Sequence, residues 1–210
     1  MPALPAQDLR SNLATWAVRA AYVPAVTCRM LDLLPREIYD PAFAGQYLET
    51  TYFDTAGFAL RKARNKGGRY LTLRIRCYRP SGSWAFSAKT EQSKFRVTLD
   101  PERAELLLTS GYTAVDLEFL PPNLLARLLD LAEDESLVPV VTVCFHRFAV
   151  EDADNRLTFD LNVHTDSGKV FPSAVLEHKA TDASAAPFAV FPALGLRPIK
   201  LSKFLWATRA

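Results

Sequence analysis

The stretch Tyr70-Leu71-Thr72-Leu73-Arg74-Ile75-Arg76-Cys77-Tyr78 alternates apolar and polar side chains along its length. With the two-residue period of a β-strand, the apolar side chains share one face, and Thr72, Arg74, Arg76 and Tyr78 share the other. Along such a strand the two guanidinium groups lie about 7 Å apart. The pattern predicts a strand that packs one face on a core and presents a cationic face on the other side.

Two further segments, 94–99 and 156–161, repeat this amphipathic pattern. The first aligns Lys94 with Arg96 on one face, and the second aligns Arg156 with one acid, Asp160. A single strand of this kind most often has a solvated polar face. Three such faces favour one shared cationic surface, although alternation alone does not fix whether the three faces meet.

Length and composition are those of an ordinary globular protein. The chain has 210 residues, of which 49% are hydrophobic and 23% are charged, and we predict a single domain over residues 1–210. A chain of this size buries about 70% of its unfolded surface, so it needs no disulfide or metal to fold. The net charge is only +2, which argues against a nucleic-acid partner and requires any anion site to be local.

The cysteines and the apolar segments of the sequence predict the cellular compartment. Cys28, Cys77 and Cys144 are odd in number and scattered, as is typical of reduced thiols in a cytosolic protein. The N-terminus lacks the apolar core of a signal peptide, and the longest apolar run, at 140–145, is too short to span a bilayer. We therefore predict a cytoplasmic protein with no membrane segment of its own, and a membrane partner protein stays open.

The chain reads as about eight strands in two groups around a helical insert. Segment 8–16 is predicted as a short helix and segment 17–26 as a first strand. Short Gly-, Pro- and Ser-rich connections between the strands at 70–78, 84–90 and 94–99 predict an antiparallel meander.

The helical insert has clear start and stop signals. Asp100 at the N-cap and Pro101 at the first turn predict a helix that Gly111 ends, and Pro121-Pro122 begins another. A closing helix is predicted at 200–207. Together the elements predict an α+β fold, a closed antiparallel eight-stranded β-barrel with helices packed outside. The charged strand faces would then line a hydrated interior, which could hold a polyanion.

An ordered set of motifs resembles the VTC domain, the polyphosphate polymerase branch of the triphosphate tunnel metalloenzymes (CYTH-like superfamily). No single motif is specific, but their order covers nearly the whole chain. The motifs are Tyr52-Phe53-Asp54-Thr55, Arg74-Ile75-Arg76-Cys77-Tyr78, Lys94-Phe95-Arg96, His146-Arg147, Arg156-Leu157-Thr158-Phe159-Asp160, Leu176-Glu177-His178-Lys179 and Ser202-Lys203-Phe204. The resemblance implies an antiparallel triphosphate tunnel in which Arg and Lys hold the phosphates and a carboxylate holds a divalent metal.

Carried over by position, the resemblance implies three groups of site residues and a Mn or Mg cofactor. The implied catalytic residues are Arg74, Arg76, Lys89, Arg147 and Lys203. The implied phosphate-binding residues are Lys94, Arg96, Arg156, Lys179 and Arg19. The implied metal ligand is Glu177.

The chain departs from the family pattern at acidic positions. A Glu-x-Glu-x-Lys motif is expected on the first strand, where this chain has Ala17, Arg19 and Ala21, and Ser87 stands where a central strand usually carries Glu. Arg19 could supply the missing positive charge. A hydrolase must position a water molecule, whereas the end of a phosphate chain is already an anionic nucleophile. The missing carboxylates therefore weaken the hydrolase reading most.

The resemblance favours an enzyme that moves the terminal phosphate of a nucleoside triphosphate onto inorganic polyphosphate with a divalent metal. A triphosphatase is the second reading, and a catalytically weakened module that binds polyphosphate or inositol phosphate is the third. Plainer structural roles stand beside these. Arg147 could form a salt bridge or mark a bulge, Lys203 could favour a helix C-terminus, and Asp54 could cap a turn.

Overall fold

The computed structural model describes residues 11–35, 45–65, 70–79, 81–112, 115–117, 119–133, 135–182 and 184–209. The eight strands are β1 (Ser11–Val18), β2 (Gln46–Thr55), β3 (Thr72–Arg79), β4 (Ser83–Lys89), β5 (Lys94–Leu99), β6 (Leu137–Glu151), β7 (Asn155–Thr165) and β8 (Ala174–Ala180). The α-helices are α1 (Val23–Leu33), α2 (Ala59–Asn65), α3 (Pro101–Ser110), α4 (Pro122–Ala132), α5 (Val190–Ala193) and α6 (Lys203–Ala207). No helix in these ranges is long and apolar enough to cross a membrane.

The strands form one sheet in the order β1-β8-β7-β6-β2-β3-β4-β5. The predicted closed barrel is wrong, because the described strands leave this sheet open, with β1 and β5 as its two edges. On β1, part of the edge hydrogen bonding goes to the C-terminal segment, where the Ile199 N–H donates to the Thr15 carbonyl at 2.7 Å. A covered edge has fewer free backbone groups with which to pair another strand.

The chain divides into two compact units. The first unit is built on Glu49–Val143, and the second on Asp8–Leu48 with Cys144–Trp206. In the first unit, helices α2, α3 and α4 pack their apolar side chains on one face of β3, β4 and β5. In the second unit, α1 and α5 pack on one face of β1, β7 and β8. In both units the sheet therefore has an apolar face under helices.

The meander and the helical insert are confirmed. Antiparallel pairs join β3 to β4 and β4 to β5. The Asp100 side chain caps α3 through the Arg103 N–H at 2.7 Å, and Pro101 and Pro122 are each the first residue of a helix. These signals are local because each concerns a backbone N–H group in the first turn of a helix. The Asp side chain accepts a hydrogen bond from such a group, and proline has no N–H that would need an acceptor.

The predictions for the N-terminal segment are wrong. Of the helix predicted over 8–16, residues 8–10 lie outside the described residues, and the remainder belongs to strand β1. Ala14, Trp16 and Val18 are buried at a period of two, and the Trp16 ring lies 5.2 Å from that of Phe191. Of the strand predicted over 17–26, residues 17–18 end β1, residues 20–22 form a short 3-10 helix, and residues 23–26 begin α1. Pro24 lies in the first turn of α1, where the missing N–H costs no hydrogen bond.

Helix α2 is held by the buried carboxylate of Asp54 at the end of β2. Its oxygens accept hydrogen bonds from the N–H groups of Thr55, Leu60 and Arg61 at 2.8, 2.8 and 2.9 Å. Two of these donors belong to the first turn of α2, which has no intrahelical partners for them. Asp54 thus fixes the start of the helix.

We expect Asp54→Ala to lower the free energy of unfolding by about 2 kcal/mol, at the upper end of the range for a helix cap. The substitution leaves buried N–H groups without acceptors. Asp100→Ala is the matched control, because Asp100 caps α3 in solvent, and its loss should be about 1 kcal/mol or less. Urea denaturation measures both, and an Asp54 variant no less stable than the Asp100 variant would contradict the assignment.

Candidate functional site

The first unit carries a row-by-row arrangement of cations on the sheet face opposite its core. Cross-strand pairing aligns Arg74 with Ser87 and Ser87 with Arg96, and aligns Thr72 with Lys89 and Lys89 with Lys94. A third row contains Arg76. Since the alternate residues of β3, β4 and β5 pack in the core, these side chains lie on the other face. We call this set the cationic face: Arg74, Arg76, Lys89, Lys94 and Arg96.

The dimensions of the cationic face follow from strand geometry. Successive rows lie about 7 Å apart along the strands, and neighbouring strands lie about 4.8 Å apart. The three rows therefore extend over about 14 Å. Segments 70–78 and 94–99 are confirmed as parts of one surface, and β4 lies between them. A surface of this size can contact several phosphate groups of one linear anion.

Two arginines of the cationic face are fixed by neighbours. The Arg76 Nε donates to the Thr50 Oγ1 at 2.9 Å, and the Arg96 guanidinium carbon lies 5.2 Å from the ring centroid of Tyr78. Arg74 makes no hydrogen bond or ion pair with any described residue. Its guanidinium is therefore available to an anion.

Tyr78 reports the electrostatic potential at this surface. Burial raises the pKa of its phenol, but the guanidinium groups of Arg76, Arg96 and Arg74 lower it, and the net pKa is below the ordinary value for tyrosine. A lowered pKa means that the local field favours the phenolate. The same field favours any bound anion.

The position between the arginines carries no acid. Ser87 is buried and is the direct cross-strand neighbour of both Arg74 and Arg96. A Glu at this position would pair with the two guanidinium groups and cancel part of their charge. Ser87 adds only a hydroxyl group, so both arginines keep their charge for a ligand.

The second unit carries a cluster in which cations and acids are balanced. We call it the ion-pair cluster; its members are Arg147 on β6, Asp160 on β7, Glu177 on β8 and Lys203 at the start of α6. Arg147 Nε and Nη2 donate to the two Asp160 oxygens at 2.6 and 2.7 Å. Lys203 Nζ lies 2.7 Å from Asp160 Oδ2 and 3.6 Å from Glu177 Oε1. The Asp160 side chain is 0% exposed.

The ionisation of Asp160 depends on its partners. Burial raises the pKa of its carboxyl, but Arg147 and Lys203 together lower it below the ordinary value. For Lys203, burial lowers the pKa of the ammonium, but Asp160 and Glu177 raise it, and the net pKa is above the ordinary value. Asp160 and Lys203 therefore keep their charges at neutral pH.

The salt-bridge reading of Arg147 is confirmed, whereas the reading of Lys203 as a C-terminal helix residue is wrong, because Lys203 is the first residue of α6. Sequence reasoning left Asp160 out of the site residues. The available signal was its place in the ionic row of segment 156–161. Its partners come from β6 and from a helix near the chain end, and no local pattern indicates such contacts.

The remaining predicted site residues belong to the second unit, where the row of Arg156 and Lys179 is next to the row of Thr158 and Glu177 on the same sheet face. Arg156 pairs across strands with Lys179, and its Nη1 lies 3.6 Å from Glu151 Oε2. Arg19 follows β1 as an exposed residue, and its Nη2 donates to the Tyr22 hydroxyl at 3.3 Å. The predicted roles of these three cations in phosphate binding stay predictions.

Within the ion-pair cluster, one carboxylate could serve as the predicted metal ligand. Both Asp160 oxygens accept hydrogen bonds from Arg147, which leaves Glu177, whose neighbour on β1 is Thr15. The described residues contain no group of three or more His, Cys, Asp or Glu side chains that could hold a metal. Glu177 fits a Mg or Mn ion only if the substrate phosphates supply further oxygens, as is usual for Mg.

Solved structures show what this chain is similar to. A candidate adenylate cyclase from Bacillus halodurans has a TM-score of 0.63 and 18% identity, covering 90% of this chain and 91% of its own. A candidate adenylyl cyclase from Hippeastrum, described as having a dominant triphosphatase activity, has a TM-score of 0.61 and 16% identity, covering 93% of both chains. A protein from Pyrococcus horikoshii has a TM-score of 0.55 and 14% identity, covering 92% and 94%.

These similarities extend over nearly the whole of each chain, and at such low identity they show the fold alone. No family model matches the sequence. No curated protein matches it either. The chain thus shares the fold of these proteins, while membership of the CYTH-like superfamily and of its VTC branch stays a prediction.

We expect Asp160→Asn to lower the free energy of unfolding at neutral pH by about 3 kcal/mol, because it leaves two buried cations undercompensated. Glu177→Gln is the matched control, with an expected loss of about 1 kcal/mol or less, because Glu177 makes longer contacts and is partly exposed. Denaturant titration measures both. Equal losses would contradict the central role of Asp160.

The same variant has a predicted pH dependence. A carboxyl whose pKa is lowered by folding stabilises the native state above its unfolded pKa of 3.8, and loses that contribution as the pH falls further. The stability difference between the wild type and Asp160→Asn should therefore shrink below that pH. A difference that stays constant down to strongly acidic pH would contradict the lowered pKa.

For the cationic face, we expect the Tyr78 phenol to ionise at a lower pH than an ordinary tyrosine. The signal is the difference in phenolate absorbance between the wild type and Tyr78→Phe during a pH titration. Adding inorganic tripolyphosphate should raise this pKa, because a bound anion offsets the arginine charges. Tripolyphosphate that leaves the titration unchanged would place its binding elsewhere.

Proposed function

We propose that the cationic face binds condensed phosphate, either the triphosphate of a nucleotide or inorganic polyphosphate. The observation that carries the proposal is the set of five cations in three cross-strand rows, with Ser87 instead of an acid between the two central arginines. Guanidinium groups can bind two phosphate oxygens at once, and lysines add point charges. A linear anion with a charge on every phosphate matches such a surface.

We further propose that the bound chain reacts, and that the protein is a polyphosphate polymerase-like phosphotransferase. The terminal phosphate of a nucleoside triphosphate would be transferred to the end of a polyphosphate chain. Such a transfer needs in-line positioning and neutralisation of the equatorial oxygens, and it needs no base because the attacking phosphate is already ionised. The residues of the cationic face are of the type that supplies both.

Each arginine of the cationic face has its own part in this proposal. The hydrogen bond to Thr50 holds Arg76 in one orientation, which lowers the entropy lost when a phosphate binds. Arg74 and Arg96, on either side of Ser87, would contact the same part of the chain. A Mg or Mn ion held by substrate oxygens would neutralise further phosphate charge.

A triphosphatase is the second candidate. It is favoured by the similarity to the Hippeastrum protein, which is described as having a dominant triphosphatase activity. Against it stands the composition of the cationic face, where the cross-strand rows of β3, β4 and β5 contain no carboxylate that could orient a water molecule. Binding without turnover is the third candidate, and the products of one reaction separate all three.

The activity test incubates the protein with ATP, Mn²⁺ and a short polyphosphate primer, and resolves the products on a gel. We expect extension of the primer with release of ADP. Release of free phosphate alone would favour the triphosphatase. Binding of tripolyphosphate without any product would favour a binding module, and neither binding nor product would overturn the proposal.

The binding test replaces Arg74 and Arg76 together by Gln. We expect the affinity for inorganic tripolyphosphate to fall about a hundredfold or more, since each charged hydrogen bond contributes about 1.5–3 kcal/mol. Arg79→Gln is the matched control, because Arg79 belongs to the same strand but alternates to the opposite face, where it pairs with Glu49. Equal losses from the two changes would contradict binding at the cationic face.

A further inference from the structure

One cation beside the cationic face comes from a helix. Arg64 lies near the C-terminal end of α2, and its Nη1 donates to the Thr72 Oγ1 at 2.7 Å. Its guanidinium carbon lies 4.3 Å from the ring centroid of Tyr70. The hydrogen bond and the stacking hold this half-buried side chain in one place.

Its position relates Arg64 to one end of the cationic face. Thr72 is on the same face of β3 as Arg74, and its cross-strand row continues through Lys89 to Lys94. The Arg64 guanidinium therefore lies against this end row. Lys89 and Lys94 are directly opposite each other in this row, so an anion bound over it would meet both charges.

The nearby acid is occupied elsewhere. Glu91, in the turn between β4 and β5, lies 2.7 Å from Arg127 Nη1. Arg64 itself makes no ion pair with any described residue, and the bond to Thr72 uses one of its five N–H donors. The remaining donors are suited to phosphate oxygens.

We propose that Arg64 is a further phosphate-binding residue, which extends the cationic face beyond its end row and favours longer phosphate chains. The inference rests on the proposed binding of condensed phosphate. A short chain held between Arg74 and Arg96 does not have to reach the end row, whereas a longer chain that follows the strands towards Thr72 passes over it. Arg64 therefore contributes most to the binding of long chains, and the substrate class is linear polyphosphate.

The test compares two anions on the full chain by isothermal titration calorimetry. The probes are inorganic tripolyphosphate and a size-fractionated linear polyphosphate several times longer. We expect Arg64→Gln to weaken binding of the longer chain about tenfold, as for the loss of one charged hydrogen bond, with a smaller effect on tripolyphosphate. Arg64→Lys should restore part of the loss, because the charge returns without the planar fork.

Two controls separate binding from support of the fold. Lys62→Gln removes an exposed cation from the same helix and should leave both affinities unchanged. Thr72→Val removes the hydrogen-bond partner of Arg64 but keeps its charge, and it should preserve most of the preference for the longer chain. If Thr72→Val reproduces the whole effect of Arg64→Gln, Arg64 acts only through the structure and the inference is wrong.

The outcome also distinguishes this inference from the proposed function. Wild-type protein that binds neither anion would overturn both. Wild-type protein that binds tripolyphosphate, together with an Arg64→Gln variant whose affinities are unchanged or fall equally for both anions, would overturn the role of Arg64 alone.

Discussion

The first unit places five positive charges on one face of its sheet, and the packing of this unit must overcome their mutual repulsion. Five cations stand in three cross-strand rows that extend over about 14 Å, and the sheet tolerates them because its opposite face is buried under α2, α3 and α4. The apolar packing determines the register, and the register determines where the charges lie. A shift of one residue in β3 would bury Arg74 and Arg76 in the core, so the stability of the core and the position of the cations cannot be separated.

The two units handle buried or crowded charge in opposite ways. In the second unit, Arg147 and Lys203 form ion pairs with Asp160 and Glu177 within the chain. In the first unit, Arg74 has no acidic partner among the described residues, and Tyr78 registers the resulting positive potential. The balanced cluster serves rigidity, because a buried and fully paired network fixes the elements that bear it. The unbalanced surface is the one that we propose binds an anion.

Local patterns predicted the parts of the fold that depend on neighbouring residues. The alternation around Arg74 and the cap at Asp100 indicated β3 and α3 correctly, since burial of every second side chain and satisfaction of a helix terminus are local requirements. Closure of the sheet was predicted wrongly because it depends on which segments meet at the edges. The contact of Ile199 with Thr15 joins residues from opposite ends of the chain, and no periodicity encodes it.

The candidate site shows the same division. The cations of β3 and β5 were predictable, because strand alternation places them on one face whatever the neighbours are. Asp160 and Arg64 were not, because their partners depend on tertiary structure. For Arg64 the dependence has identifiable steps. Asp54 caps the first turn of α2, and Arg64 lies near the other end of this seven-residue helix. From there its guanidinium donates to Thr72, the first residue of β3. If Arg64 binds phosphate as we propose, the residue that caps α2 determines how far the cationic face extends.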